Sequence, residues 1–326
     1  MLGAATASRR ASVDRSARVP IAAPMGARFH AAFFPALIAG VIGAPGVASA
    51  DAGAPPPPPN PLAPPVSTPA PANSESPFQL RLMIDVPLSI VGLTVWTVPY
   101  AILSNELQGP YCDPCDRSHV NPFDRLSIPL HNPSAATGAD VLLYSLPPIY
   151  FAIRLLDYGA GNWRGYLVDA FVTAETVIWS GVVNEVERRL VRRARPFMYD
   201  AGVFPDERKS VESTLSFYSG HTSAIFAFSV STAYGFTLRH PKSPWNWLMW
   251  IGLLSYSSTE GVLRVVSGDH FPTDVIVGAL VGSGIGLIVP ALHRKRSPLD
   301  SPWFTSLTLM PAQLPGGGML SLGGAF

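Results

Sequence analysis

The stretch VIVGALVGSGIGLIVPAL, residues 275–292, carries no charge over its whole length. A helix needs about 20 apolar residues to cross a bilayer, so this stretch alone predicts a helix on the scale of a membrane. Gly278, Gly282 and Gly286 recur at a spacing of four, which clears one face and lets a neighbouring helix approach closely. Five more apolar stretches precede it, over residues 84–104, 139–157, 166–190, 221–238 and 245–264. The period-two alternation of strands is scarce among them. The reading is an all-α, six-helix bundle, transmembrane in character. The third stretch contains Asp169, Glu175, Asn184 and Glu185, which inside a membrane must face the bundle interior or water.

Composition points the same way. Of 326 residues, 48% are hydrophobic and only 14% charged, where an ordinary soluble domain has about 25% charge. The net charge is +1, which disfavours a nucleic-acid binder, since those are usually basic overall. Two cysteines exclude a disulfide-rich scaffold and a four-cysteine zinc site. They stand close together, as Cys112 and Cys115, where a local disulfide and a pair of free thiols are both open readings.

The ends differ from the middle. Residues 1–50 follow the order of a signal peptide: five arginines before residue 29, an apolar stretch from Ala31 to Ile42, then Ala48-Ser49-Ala50. An uncleaved N-terminal anchor is the other reading. Residues 51–80 are a Pro-rich linker, extended and semi-rigid because proline fixes φ and lacks an N–H. Residues 81–298 form the helical domain. In the tail, 299–326, the alternation from Phe304 to Leu309 and the turn at Gly316-Gly317-Gly318 predict a short β-hairpin.

Three clusters at helix ends carry the chemistry. Five arginines fall within eight positions, among them Arg188 and Arg195, and Pro196 follows to end the helix. On one continuous helix, Arg188 and Arg195 share a face two turns apart. Their bland reading is a solvated basic loop beside a span. The second cluster, Tyr218-Ser219-Gly220-His221, opens an apolar helix. Ser219 suits the N-cap, Gly220 permits close backbone approach, and the helix start offers N–H groups to an anion. Taken alone, a single histidine there is more often structural. The third runs from Arg264 through His270 to Asp274. Pro272 suits the first turn of a helix, and Asp274 can fold back toward the helix start, near His270. A capping aspartate beside an incidental histidine is the plain alternative.

Taken together, Arg-x6-Arg-Pro, Ser-Gly-His and Arg-x5-His-x3-Asp resemble the motifs of the type 2 phosphatidic acid phosphatase (PAP2) superfamily, whose site is similar to that of bacterial class A acid phosphatases and vanadium haloperoxidases. The resemblance covers residues 84–292, with its specificity in 188–274. Arg188 stands where the family usually has Lys, Tyr218 where it has Pro, and Leu263 where it has Ser. The resemblance implies a bundle of the PAP2/haloperoxidase type and a phosphatase acting on a phosphomonoester or diphosphate. It implies that His270 attacks phosphorus, that Asp274 orients His270, and that His221 protonates the leaving oxygen. Arg188, Arg195, Arg264, Ser219 and the Gly220 N–H then hold the phosphoryl oxygens.

With three arginines in place no metal and no cofactor is expected, and the arginines should keep His270 neutral. The implied partners are a membrane and a lipid phosphate of the phosphatidic acid, phosphatidylglycerol phosphate, undecaprenyl diphosphate or lipid A type. Oligomeric state is not legible. In membrane members of the family the catalytic loops face away from the cytoplasm, which six spans with the N-terminus inside deliver, with Arg154, Arg164, Arg239, Lys242, Arg294, Lys295 and Arg296 on the cytoplasmic side. A cleaved signal peptide reverses that count. Either the segment with Pro87 and Pro99 does not cross, or the N-terminal stretch stays attached, or the whole bundle is exported to the periplasm or envelope. Two rival functions share the scaffold: a vanadium-dependent haloperoxidase, and a non-enzymatic envelope protein.

Overall fold

A computed structural model of the chain describes residues 76–102, 112–158, 162–202, 207–295, 308–314 and 317–323. The expected signal or anchor region, and the linker up to residue 75, lie outside the described residues. All six expected helices are there: α1 (Leu82–Ile102), α2 (Pro133–Tyr158), α3 (Trp163–Val191), α4 (Gly220–Arg239), α5 (Asn246–Val266) and α6 (Pro272–Leu292). Helix α2 starts six residues before its apolar stretch. Pro133 suits a first helical turn, and the Asn132 side chain accepts from the Ser134 and Ala135 N–H groups at 3.0 and 3.2 Å.

Helix α4 is the hub, packed against α3, α5 and α6. The glycine stripe of α6 explains the closest of these contacts. A Cβ at Gly278 would stand 2.7 Å from the Ser219 carbonyl oxygen, one at Gly286 would stand 2.8 Å from that of Ala227, and one at Gly282 would land on that of Ser223. Both series advance by four residues, so the two helices meet in register along two turns.

Four of the helices, α1, α2, α3 and α6, are long and apolar enough to cross a membrane. Of the six helices expected, α4 and α5 fall short of that among the described residues. The reason is composition. Helix α4 buries Thr222, Ser223, Ser229, Ser231 and Thr232, and α5 holds Glu260 and Arg264 inside the bundle. A helix enclosed by other helices can satisfy hydroxyls through them: Ser180 and Ser223 hydroxyls lie 2.8 Å apart, and the Ser257 hydroxyl donates to Ser229 at 2.8 Å. The outward faces of α1 and α6 expose Met83, Leu88 and Val91, and Ile276, Leu280 and Ile288. Contiguous apolar surface of this kind fits a lipid surround, and this is a membrane protein.

The acids of α3 do face inward. Asp169 is fully buried and accepts from Ser76 at 2.5 Å, with Arg154 and Arg239 beside it at 3.3 and 3.1 Å. Glu175 lies 3.2 Å from His293. These pairs sit at the end of the bundle where α1 begins and α6 ends, since the Gln79 N–H donates to the His293 carbonyl at 2.8 Å. A cavity of about 330 Å³ there is lined by Arg81, Asp85, Glu175, Trp179 and His293 among others. Helix α6 rises about 30 Å from this end, and the three motifs gather at its other end.

Candidate active site

Five helix ends converge on the site: the N-terminal ends of α2, α4 and α6, and the C-terminal ends of α3 and α5. Sequence motifs far apart in the chain are joined there by backbone. The Ser219 N–H donates to the Asp274 carbonyl at 3.1 Å, the Ser216 N–H to the Arg193 carbonyl at 2.9 Å, and the Arg195 N–H to the Ser213 carbonyl at 2.8 Å.

Helix α3 ends earlier than expected. Arg192 takes φ 48°, a left-handed C-cap, and its N–H returns to the Arg188 carbonyl. Arg195 is extended at φ −71° and ψ 157°, as the residue before a proline should be. Pro196 therefore opens a short 3₁₀ turn, Pro196–Tyr199, instead of closing the helix. The two arginines do not share a helix face; they meet through Glu212, which lies 3.3 Å from each.

The remaining basic groups continue the chain of contacts. Arg195 Nη1 is 3.6 Å from Asp269, and Arg264 Nη1 is 3.3 Å from the same carboxylate. Arg264 Nη2 bonds Asp140, and His221 Nε2 lies 3.6 Å from that same oxygen. Thus Arg188, Arg195, Arg264 and His221 form one cluster, linked by Glu212, Asp269 and Asp140. None of these acids belongs to the motif residues read from the sequence. Asp269 adjoins His270 in sequence, and Asp140 is the first acid in an otherwise apolar helix; those were the available signals. Burial opposes the charge of Asp269, but Arg195 and Arg264 outweigh it and hold its pKa below the ordinary 3.8.

His270 is buried, and a backbone carbonyl stands nearer to its ring than the expected Asp274 does. Its Nδ1 lies 2.7 Å from the Ser216 carbonyl oxygen, but 3.8 Å from Asp274 Oδ2. A carbonyl only accepts, so the Nδ1 proton points at Ser216 and the lone pair is left on Nε2. Burial pushes the His270 pKa below 6.5; the Asp274 carboxylate opposes this and the Arg195 charge assists it. That direction favours the uncharged ring.

Asp274 is occupied elsewhere. It caps α6 as expected, accepting from the Phe271 N–H at 3.0 Å, and it accepts from the Ser216 hydroxyl at 2.5 Å and from Arg193 at 2.6 Å. Arg193 also donates to Asp124 at 2.6 Å, and its guanidinium lies 4.0 Å from the centre of the Phe271 ring. Asp124 accepts from the Thr273 N–H and hydroxyl at 3.0 and 2.6 Å. Burial opposes the charge of Asp124, yet the Arg193 and Thr273 bonds hold its pKa below 3.8. Arg193 was visible only as one member of the arginine run, and Asp124 carried no signal at all.

Ser219 is the N-cap of α4, as expected, accepting from the Thr222 N–H at 3.4 Å. At Gly220 the close approach is made by a side chain: an added Cβ would stand 2.5 Å from Asn184 Oδ1. Asn184 in turn donates to the Tyr218 carbonyl at 2.7 Å, fixing the loop before the cap.

Known proteins resemble the chain over the same residues. Residues 169–298 match the PAP2 superfamily. That match takes in less than half of the chain. The PAP2 region holds all three motifs, while Asp140 and Asp124 lie before it. Over 122 residues the chain is 31% identical to a lipid A 1-phosphatase of Rhizobium johnstonii, covering 37% of this chain and 46% of that protein. Over 111 residues it is 36% identical to an undecaprenyl-diphosphatase of Sulfolobus acidocaldarius, covering 33% of this chain and 47% of that protein. The chain spans about half the length of the curated relatives it matches. A solved transmembrane PAP2-type phosphatidylglycerolphosphate phosphatase from Bacillus subtilis superposes with a TM-score of 0.39 at 18% identity, covering 64% of this chain and 94% of that one. Among the described residues no group of three or more histidine, cysteine or acidic side chains is placed to hold a metal.

Proposed function

We propose that the protein is a membrane phosphatase that hydrolyses a lipid phosphomonoester or diphosphate through a phosphohistidine on His270. The observation that carries this reading is the Ser216 carbonyl on His270 Nδ1, which leaves the lone pair on Nε2, with the neighbouring Asp269 of the sequence held by Arg195 and Arg264. Nε2 attacks phosphorus, forming the N–P bond as the P–O bond to the leaving group breaks. His221 gives that oxygen its proton. Water then attacks the phosphohistidine, His221 takes a proton from it, and phosphate leaves with Nε2 restored.

Phosphoryl transfer spreads negative charge over three equatorial oxygens, so positioned cations do most of the work. Arg188, Arg195 and Arg264 supply them, with Ser219 and the Gly220 N–H at the start of α4. The phosphate competes with Asp140, Asp269 and Glu212 for the same cations. Asp274 acts one step removed, holding the Ser216 segment and the start of α6 in place. Neither metal nor cofactor enters this scheme.

The named relatives support a lipid phosphate of the lipid A or polyprenyl diphosphate kind; phosphatidic acid and phosphatidylglycerol phosphate fit the same chemistry. We place the site on the periplasmic side of a bacterial inner membrane, where the motif loops lie opposite Arg154, Arg239 and Lys242. The tail, residues 299–326, is read as a short β-hairpin without chemistry. Phosphate release from these four lipid classes, with and without EDTA, tests the proposal. Turnover of at least one class, unaffected by EDTA, is expected. No turnover of any class, or full loss in EDTA restored by a divalent ion, contradicts it.

A further inference from the structure

The loop that carries the two cysteines touches the site from outside the PAP2 region. Cys112 and Cys115 are disulfide-bonded. Between them, Asp113 bonds the guanidinium of Arg208, with Nε at 2.8 Å and Nη2 closer still. Arg208 is 3% exposed. A guanidinium so deeply buried must spend its donors on fixed acceptors. Its remaining donors go to three backbone carbonyls: Phe197, Asp200 at 2.7 Å and Met198 at 3.2 Å. The Cys115 N–H adds a bond to the Met198 carbonyl at 2.9 Å, and the disulfide packs on Phe197 and Met198.

Phe197 and Met198 belong to the 3₁₀ turn that begins immediately after Arg195, Asp200 caps its end, and the Met198 N–H returns to the Arg195 carbonyl at 3.0 Å. Arg195 is off the helix, so the helix cannot hold it. Its backbone is fixed by Ser213 on one side and by this turn on the other. We propose that Arg208 and Asp113, presented by the Cys112–Cys115 loop, are positioning residues that set Arg195 for the phosphoryl oxygens. This rests on the proposed function, in which Arg195 contacts phosphate. Arg208 itself touches no substrate. It acts by gathering the turn, and Asp113 neutralises it where water cannot.

The test is binding of orthovanadate, a tetrahedral phosphate mimic, by calorimetry on the full chain in detergent, with melting temperature measured alongside. Arg208→Gln should weaken vanadate about ten- to a hundredfold, the scale of a misplaced binding group. Asp113→Asn, a milder change that spares the fold if Arg208→Gln does not, should weaken it in the same direction. In an Arg195→Ala background either change should alter vanadate affinity by less than about twofold, because the group being positioned is gone. A purely structural role predicts the same loss in both backgrounds, and that result overturns the proposal. So does wild-type vanadate affinity in Asp113→Asn and Arg208→Gln. Vanadate binding without hydrolysis of any phosphate ester removes the hydrolase reading alone; no vanadate binding by the wild type removes both.

Discussion

His270 Nδ1 lies 2.7 Å from the carbonyl oxygen of Ser216, more than an ångström closer than to the nearest oxygen of Asp274. The tautomer of the buried imidazole is therefore set by a backbone carbonyl in the loop before α4, and the carboxylate of α6 supports that loop. Ser216 is held at both ends of this arrangement, by its hydroxyl on Asp274 and its N–H on the Arg193 carbonyl.

The depressed pKa of His270 fixes a pH dependence. Burial lowers it below 6.5, so the neutral, nucleophilic form persists to more acidic pH than a free imidazole allows. The acid limb of kcat/KM should lie below pH 6.5. The same sign governs stability: the unfolded ring binds a proton more readily, so the contribution of His270 is intact above 6.5 and is lost as pH falls through the folded value. A pH–rate profile with half its activity already gone at or above pH 6.5 contradicts the assignment.

His221 is part-exposed and sits 3.6 Å from Asp140. His221→Ala should slow hydrolysis of an alkyl phosphate by about 10² to 10⁴, and slow that of a nitrophenyl phosphate much less. Steady-state rates on the two esters check this. Equal losses on both would remove the acid role.

Arg193 bridges two buried carboxylates, Asp124 and Asp274. Arg193→Gln leaves both without their cation and should destabilise the fold by about 3–5 kcal/mol. Arg193→Lys should recover only part, since an ammonium cannot fork to two carboxylates as a guanidinium does. Chemical denaturation in detergent measures both variants. A loss below about 1 kcal/mol in Arg193→Gln would mean that the bridge is not a structural tie.

The contact between α4 and α6 admits a paired comparison. An added Cβ at Gly282 meets the Ser223 backbone, whereas one at Gly284 meets nothing within 4 Å. Gly282→Ala should cost about 1–3 kcal/mol or more by overpacking, and Gly284→Ala should be neutral or stabilising, because alanine favours a helix interior. Equal melting temperatures for the two variants would contradict the close approach.

These results also show which features a sequence can carry. Helix number and order were readable because each apolar run is continuous and bounded by Pro, Gly or charge. The stripe Gly278, Gly282, Gly286 announced a close neighbour without naming it. The partners of the Ser and Thr residues of α4 were less legible, because they are found only after the bundle forms. Arg195 looked helical by spacing, and the left-handed Arg192 is what removed it. Asp140 and Glu212 lie far along the chain from some of the groups they join, and no local pattern encodes such a pair. The Ser216 carbonyl was the least visible, since every residue has one and only the fold chooses which carbonyl meets the ring.

The most direct measurement is rapid alkaline quench of the enzyme during turnover of a ³²P-labelled lipid phosphate, followed by mapping of the labelled peptide at alkaline pH. The account predicts an acid-labile, base-stable label on His270, formed and lost at catalytic rates and absent from His270→Ala, which should not turn over. A His270→Ala enzyme that hydrolyses the same lipid at the wild-type rate, or a label on any other residue, would contradict it.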